Sequence, residues 1–206
     1  VKSSFKEAEM GFESTKEDKD HVLKLFPEVE WISDDAIREG VISAWVGAWR
    51  VGGWDRLENA PLMIKEIRDP KVGVLHVRVS AQLTVAIADI VEREMGQKLN
   101  RDHLIAGALL HDVGKPLEYA PHGQGRLGGD QLRHPVSGAH LVLEAGLPLE
   151  IAHIVATHSE EGTLYEKSLE AEIVTRAELL AWEVTCRQTF GVPSSRYGEK
   201  QVEAKD

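Results

Sequence analysis

The sequence predicts an all-α fold. Apolar residues recur at helical spacing along most of the chain, and strand-like alternation is scarce. The breaks between periodic stretches carry helix starts and stops: Asp, Asn or Ser before, Gly or Pro after. At 206 residues, with 42% apolar and 28% charged, the chain has length for one sizeable core.

Residues 1–20 are polar and charged with no buried face and read as a mobile N-terminal arm. A single helical domain is expected over residues 21–190, followed by a polar tail over 191–206. Within the domain, residues 21–26 form a short helix begun by Asp20 and stopped by Pro27. Ser33 caps the next helix, with Asp34 and Asp35 in its first turn, where carboxylates suit the dipole. Its Ile37, Val41, Trp45 and Trp49 share a face, and Gly52 and Gly53 end it. Residues 60–68 predict a further helix, stopped by Asp69 and Pro70. Residues 74–95 form a long helix ending at Gly96. Asn100 caps the helix that follows. Residues 117–133 hold Gly123, Gly125, Gly128 and Gly129 and read as a mobile loop or lid. Pro135 opens a helix that ends at Gly146. Residues 148–158 and 169–190 complete the set.

The net charge is −10, with 24 basic against 34 acidic residues, which argues against a nucleic-acid or anionic membrane surface. A metal can still reverse the local field for an anionic small molecule. A single cysteine, Cys186, allows no internal disulfide and no Cys-rich zinc site. The unbroken apolar runs fall short of a membrane span. A cytoplasmic protein acting on a small molecule, without nucleic-acid or membrane partners, is the expectation. Trp45, Trp49 and Trp54 read as core or as a contact between identical chains, which leaves a homo-oligomer open.

The chemistry concentrates in LIAGALLHDVGKP. This apolar helix ends on adjacent His111 and Asp112, followed by Gly114, Lys115 and Pro116. Neighbouring helical residues point ~100° apart, but at a helix end both can turn onto one ion or share a two-ion centre. The negative end of the helix dipole favours a cation there. His76 lies 35 residues before His111, His134 22 residues after Asp112, and His158 another 24 on. Imidazole with carboxylate suits Mn, Fe, Co, Ni or Zn, as one or two divalent ions, better than Ca or Mg. His21, His103, His122, His140 and His153 read as structural or exposed. Arg78, Arg126 and Arg133 are candidate anion contacts for which a surface role is favoured. Lys115 either holds a phosphoryl oxygen or caps the last carbonyls of its helix.

From about Val72 to Trp182 the chain resembles the HD-domain superfamily of metal-dependent phosphohydrolases. His76 in LHVRVSAQL resembles the family's first histidine, and His111-Asp112 in HDVGK its name-giving pair. The family's final aspartate falls on Glu178 in AELLAW. His134 in HPVSGAHLV and His158 in IVATHSEEG match the extra histidines of members that hold two metals. The resemblance implies a compact helical HD-domain bundle with His76, His111, Asp112, His134, His158 and Glu178 as ligands. It implies a hydrolase acting through metal-activated water, with Asp112 and Lys115 in the catalytic machinery. A phosphate ester or nucleotide-like small molecule is the implied substrate, with a non-phosphate cyclic substrate left open. Ser159-Glu160-Glu161-Gly162 stands where cyclic-dinucleotide phosphodiesterases carry GYP, which argues against that substrate. The alternatives are a di-iron oxygenase on the same scaffold, which would use all six ligands, and an inactive ligand-binding module, which the glutamate at 178 would suit.

Overall fold

The computed structural model describes residues 14–64, 66–67, 69–120 and 132–197, and every regular element among them is helical. Helix α1 (Lys16–Leu25) begins five residues before its expected start. Thr15 and Asp18 form a reciprocal capping box, so residues 16–20 belong to the helix rather than to an arm. The buried Asp18 also pairs with Arg50 of α2, which ties this turn to the body. The rest of the expected arm lies outside the described residues.

Helix α2 (Asp35–Gly52) is capped by Asp34, whose side chain accepts from the Ala36 and Ile37 amides. Ser33, the expected cap, instead donates through its amide and hydroxyl to Asp102, 2.8 and 2.7 Å away. Gly53 ends the helix at φ +73°. No helix forms among the described residues of 60–68: a short 3₁₀ turn (Leu57–Asn59) is followed by bends. Asp69 and Pro70, read as its stop, are the N-cap and first residue of α3 (Pro70–Met95). Aspartate before proline at a helix start satisfies one amide and needs none from the proline.

Helix α4 (Arg101–Leu110), capped by Asn100, is buried on every side from Leu104 onward. It packs against α2, α3, α7 and α8, which makes it the axis of the bundle. A short helix α5 (Lys115–Glu118) follows it. Then come α6 (His134–Glu144), α7 (Leu149–Thr157) and α8 (Leu169–Phe190), the last capped by Ser168 and ended by Gly191 as expected. Residues 121–131 of the expected loop lie outside the described residues.

By composition α3 is long and apolar enough to cross a membrane. Its Gly73, His76, Val77, Ser80, Ala81, Thr84 and Ala88 form one buried stripe, and α3 packs most extensively on α8 and α4. Trp45 and Trp49 belong to the interior, and Trp54 packs half-buried against it. Trp45 donates to the Leu109 carbonyl at 3.2 Å and Trp54 to the Pro116 carbonyl at 2.9 Å. Two indoles thereby hold the chain on either side of His111 and Asp112.

Candidate metal centre

Each histidine of interest sits at an end or on the inner face of a helix. His76 projects from the buried stripe of α3. His111 and Asp112 occupy the turn leaving α4, with His111 as its C-cap in the right-handed helical conformation. His134 is the first residue of α6, and His158 is the C-cap of α7. All five residues are at most 4% exposed.

Gly114 allows these ends to meet. A Cβ there would lie 2.3 Å from the His134 carbonyl oxygen and 2.6 Å from Ser137 Oγ. The start of α6 therefore rests directly on the turn carrying Asp112. Gly162 plays the same part beyond His158, since a Cβ would sit 2.0 Å from the Thr157 carbonyl oxygen.

The donors form two triads that share one carboxylate. In the first, His76 Nε2 and His111 Nε2 are 3.2 Å apart and stand 3.6 and 3.5 Å from Asp112 Oδ2. In the second, His134 Nε2 and His158 Nε2 are 3.3 Å apart and stand 3.3 and 3.7 Å from Asp112 Oδ1. The chemistry of this donor set fits a divalent transition metal. Two donors each ~2.1 Å from one ion stand ~3.0 Å apart at a right angle and ~3.4 Å apart at the tetrahedral angle. The six separations fall in and just above that range.

The far side of three rings fixes which nitrogen faces inward. His111 Nδ1 donates to the Ala108 carbonyl and His158 Nδ1 to the Val155 carbonyl, both at 2.7 Å. A carbonyl only accepts, so Nδ1 carries a proton in both rings and Nε2 is the nitrogen turned to the centre. His134 Nδ1 donates to Glu118 Oε2 at 2.7 Å, and the His134 amide donates to the same oxygen at 2.6 Å. His76 Nδ1 has no partner among the described residues.

The electrostatics are those of a cation site. Burial would raise the Asp112 pKa, but Lys115 and the histidines outweigh it and hold it well below the usual carboxylate range. Burial pushes His76 down to about 3, with His111 adding to the effect. Burial and Lys115 lower His134 to about 4. His111 goes the other way: burial would lower it, and Asp112 more than compensates, so it is raised.

Lys115 Nζ, almost fully buried, lies 3.8 Å from Asp112 Oδ1 and 5.7 Å from the centroid of the Tyr119 ring. It faces the carboxylate. Glu178 joins neither triad. It lines the cleft above them, and burial raises its pKa against the opposing influence of His111 and His158.

The sequence reading missed Glu118. Burial would raise its carboxyl, yet the hydrogen bonds from His134 hold it at about 2. Its only signal is general: a ligating histidine usually donates its other nitrogen to a carboxylate or carbonyl. Arg133, a candidate anion contact, lies 3.7 Å from Glu118 Oε1 and 3.3 Å from Glu161 Oε1. Arg78 is engaged by Glu28 at 2.9 Å, away from the centre. His140 is exposed, His21 meets Glu58 at 2.7 Å, and His153 accepts from the Ser168 amide at 3.3 Å. His103 lies beside a separate groove. His122 and Arg126 fall outside the described residues.

The triads form the floor of a cleft of about 700 Å³ whose walls include Met63, Tyr165, Lys167, Arg176 and Trp182. Comparison with known proteins agrees with this architecture. The HD domain matches residues 74–183, which contain all six candidate ligands. The dihydroneopterin 2',3'-cyclic phosphate phosphodiesterase of Methanocaldococcus jannaschii is 30% identical over 165 residues. That alignment covers 75% of this chain and 66% of the relative. No solved structure matches the chain. On the domain match and the arrangement of its histidines and aspartate, the chain belongs to the HD-domain family.

Proposed function

We propose that the protein is a metal-dependent phosphohydrolase whose substrate is a small phosphodiester. The carrying observation is the Asp112 carboxylate, which gives one oxygen to each of two imidazole pairs at the floor of an open cleft. His76, His111 and Asp112 Oδ2 would hold one divalent ion, and His134, His158 and Asp112 Oδ1 the other. Glu178 would supply a further carboxylate on the cleft side of the first ion. Ions held there lower the pKa of a coordinated water and polarise the phosphoryl group.

The chain's own groups set up the rest. The carbonyls of Ala108 and Val155 and the carboxylate of Glu118 hold three imidazoles in the ligating tautomer. Lys115 places a buried ammonium beside the centre, where charge develops on phosphoryl oxygens as the ester P–O bond breaks. Water adds across that bond, leaving a phosphomonoester and a free hydroxyl. The relative in Methanocaldococcus jannaschii is named for a 2',3'-cyclic phosphate, and a cyclic phosphodiester of similar size suits this cleft.

The test is turnover of adenosine 2',3'-cyclic phosphate by protein loaded in turn with Mn, Fe, Co, Ni and Zn. Hydrolysis to the monoester that Asp112→Asn abolishes supports the reading. Metal-loaded protein inert towards this ester and towards glycerol 1,2-cyclic phosphate contradicts it.

A further inference from the structure

The cleft continues past the histidines. Helix α8 lines it with Thr175, Glu178, Leu179 and Trp182, which are positions i, i+3, i+4 and i+7 of one face. Glu178 stands at the histidine end. Trp182 is four residues on, ~6 Å along the axis. That offset matches the separation between a phosphoester and a ring joined by a short sugar or polyol.

The far end is aromatic. Trp182 meets Tyr197 edge to face, with centroids 5.6 Å apart and planes at 75°. Tyr197 also packs on Phe190 at 5.0 Å. Residues expected to be a polar tail bring it there. The turn Ser194–Arg196 folds the chain back, and the Ser194 amide donates to Glu183 Oε2 on α8 at 2.8 Å. Neither Trp182 nor Tyr197 is part of the buried core, yet both line the cleft. Leu179 is 44% exposed on the same wall. Lys167, donating to Thr175 Oγ1 at 3.2 Å, lies on the cleft wall alongside them.

We infer that Trp182 and Tyr197 form the binding site for a planar heteroaromatic ring carried by the substrate, and that they set specificity. The inference rests on the phosphohydrolase reading above. The two ends divide the work: the triads and Lys115 take the phosphoester, and the aromatic pair takes the ring. Stacking on an aromatic side chain tolerates many heterocycles, so the pair selects for a ring rather than for one base.

The experiment compares two esters on the metal-loaded protein: adenosine 2',3'-cyclic phosphate, which carries a ring, and glycerol 1,2-cyclic phosphate, which does not. Trp182→Ala and Tyr197→Ala should each raise KM for the adenosine ester by about tenfold or more. Turnover number should hold within about twofold, and the glycerol ester should be unaffected. Trp182→Phe, which keeps a ring, should recover most of the adenosine KM. Equal losses on both esters, or no loss on either, overturn the inference and show that the pair only latches the chain end to α8. A second readout is independent of turnover. Adenosine alone should quench a fluorescence component that Trp182→Phe removes. Absence of that quenching in protein that cleaves the glycerol ester overturns the ring site and leaves the hydrolase standing. Quenching in protein that cleaves neither ester supports the ring site and overturns the hydrolase.

Discussion

Asp112 Oδ1 lies 3.3 Å from His134 Nε2, while Oδ2 of the same carboxylate faces His76 and His111. One side chain thereby serves both triads, and its neighbours do not. His134→Ala should cost the second ion and leave the first, halving the metal content. Elemental analysis of the purified variant checks this. Loss of both ions would mean that the triads are not separable in the way their geometry implies.

Glu118 touches the centre only through His134, whose ring and amide both donate to it. Carboxylates in this position typically change metal affinity by about 10–100-fold. Glu118→Gln should therefore weaken one of the two ions by about that factor. The other should be unchanged, and helical circular dichroism should match the parent. Competition with a chromogenic chelator measures both affinities. Equal weakening of the two would assign Glu118 to general stability instead.

Gly114 touches the His134 carbonyl and Ser137 through the space where a Cβ would stand. Gly114→Ala must push α6 off the HD turn, and overpacking of this kind costs about 1–3 kcal/mol. Thermal denaturation should show a matching fall in Tm. The second ion should bind more weakly because His134 moves with the helix. An alanine variant as stable as the parent would contradict the close approach.

The metal-free protein should lose stability as pH falls from about 6.5 towards 4. His76 and His134, lowered to about 3 and about 4, stay neutral when folded but take up a proton on unfolding below 6.5. Each adds a slope of about 1.4 kcal/mol per pH unit in that window, with stability falling as pH falls. His111 has the opposite sign. Its raised pKa stabilises the fold below 6.5, and that contribution fades as pH rises through the folded value. That contribution is constant below 6.5, so among these histidines His76 and His134 set the slope in this window and leave a net loss in acid. Urea titrations across this range check it, and a flat profile would contradict the burial of neutral imidazoles. Bound metal should steepen the effect, because every imidazole that holds an ion must be unprotonated in the fold and takes up a proton on unfolding.

The fold was legible where helix ends carry local chemistry. Asn100, Ser168, Gly53, Gly96 and Gly191 mark their boundaries through their own side chains or positive φ. Residues 60–68 misled because Leu62, Met63 and Ile67 are apolar at near-helical spacing, yet each is buried separately by an irregular chain. Ser33 misled because its best acceptor, Asp102, lies 69 residues away. The same limit applies to the site. His111 and Asp112 announced themselves by ending an apolar helix. Glu118 carries no such mark, since its partner His134 begins a helix 16 residues on. Tyr197 sits among polar neighbours that mark the segment as tail, and only the fold brings it to Trp182.

The two triads that share Asp112 would hold two ions. Metal content per chain, measured by mass spectrometry on protein expressed with mixed transition metals and purified without chelator, tests this most directly. The parent should hold about two ions per chain and Asp112→Ala fewer than one, with the helical fold retained. A single ion in the parent, or a full complement in Asp112→Ala, would contradict it.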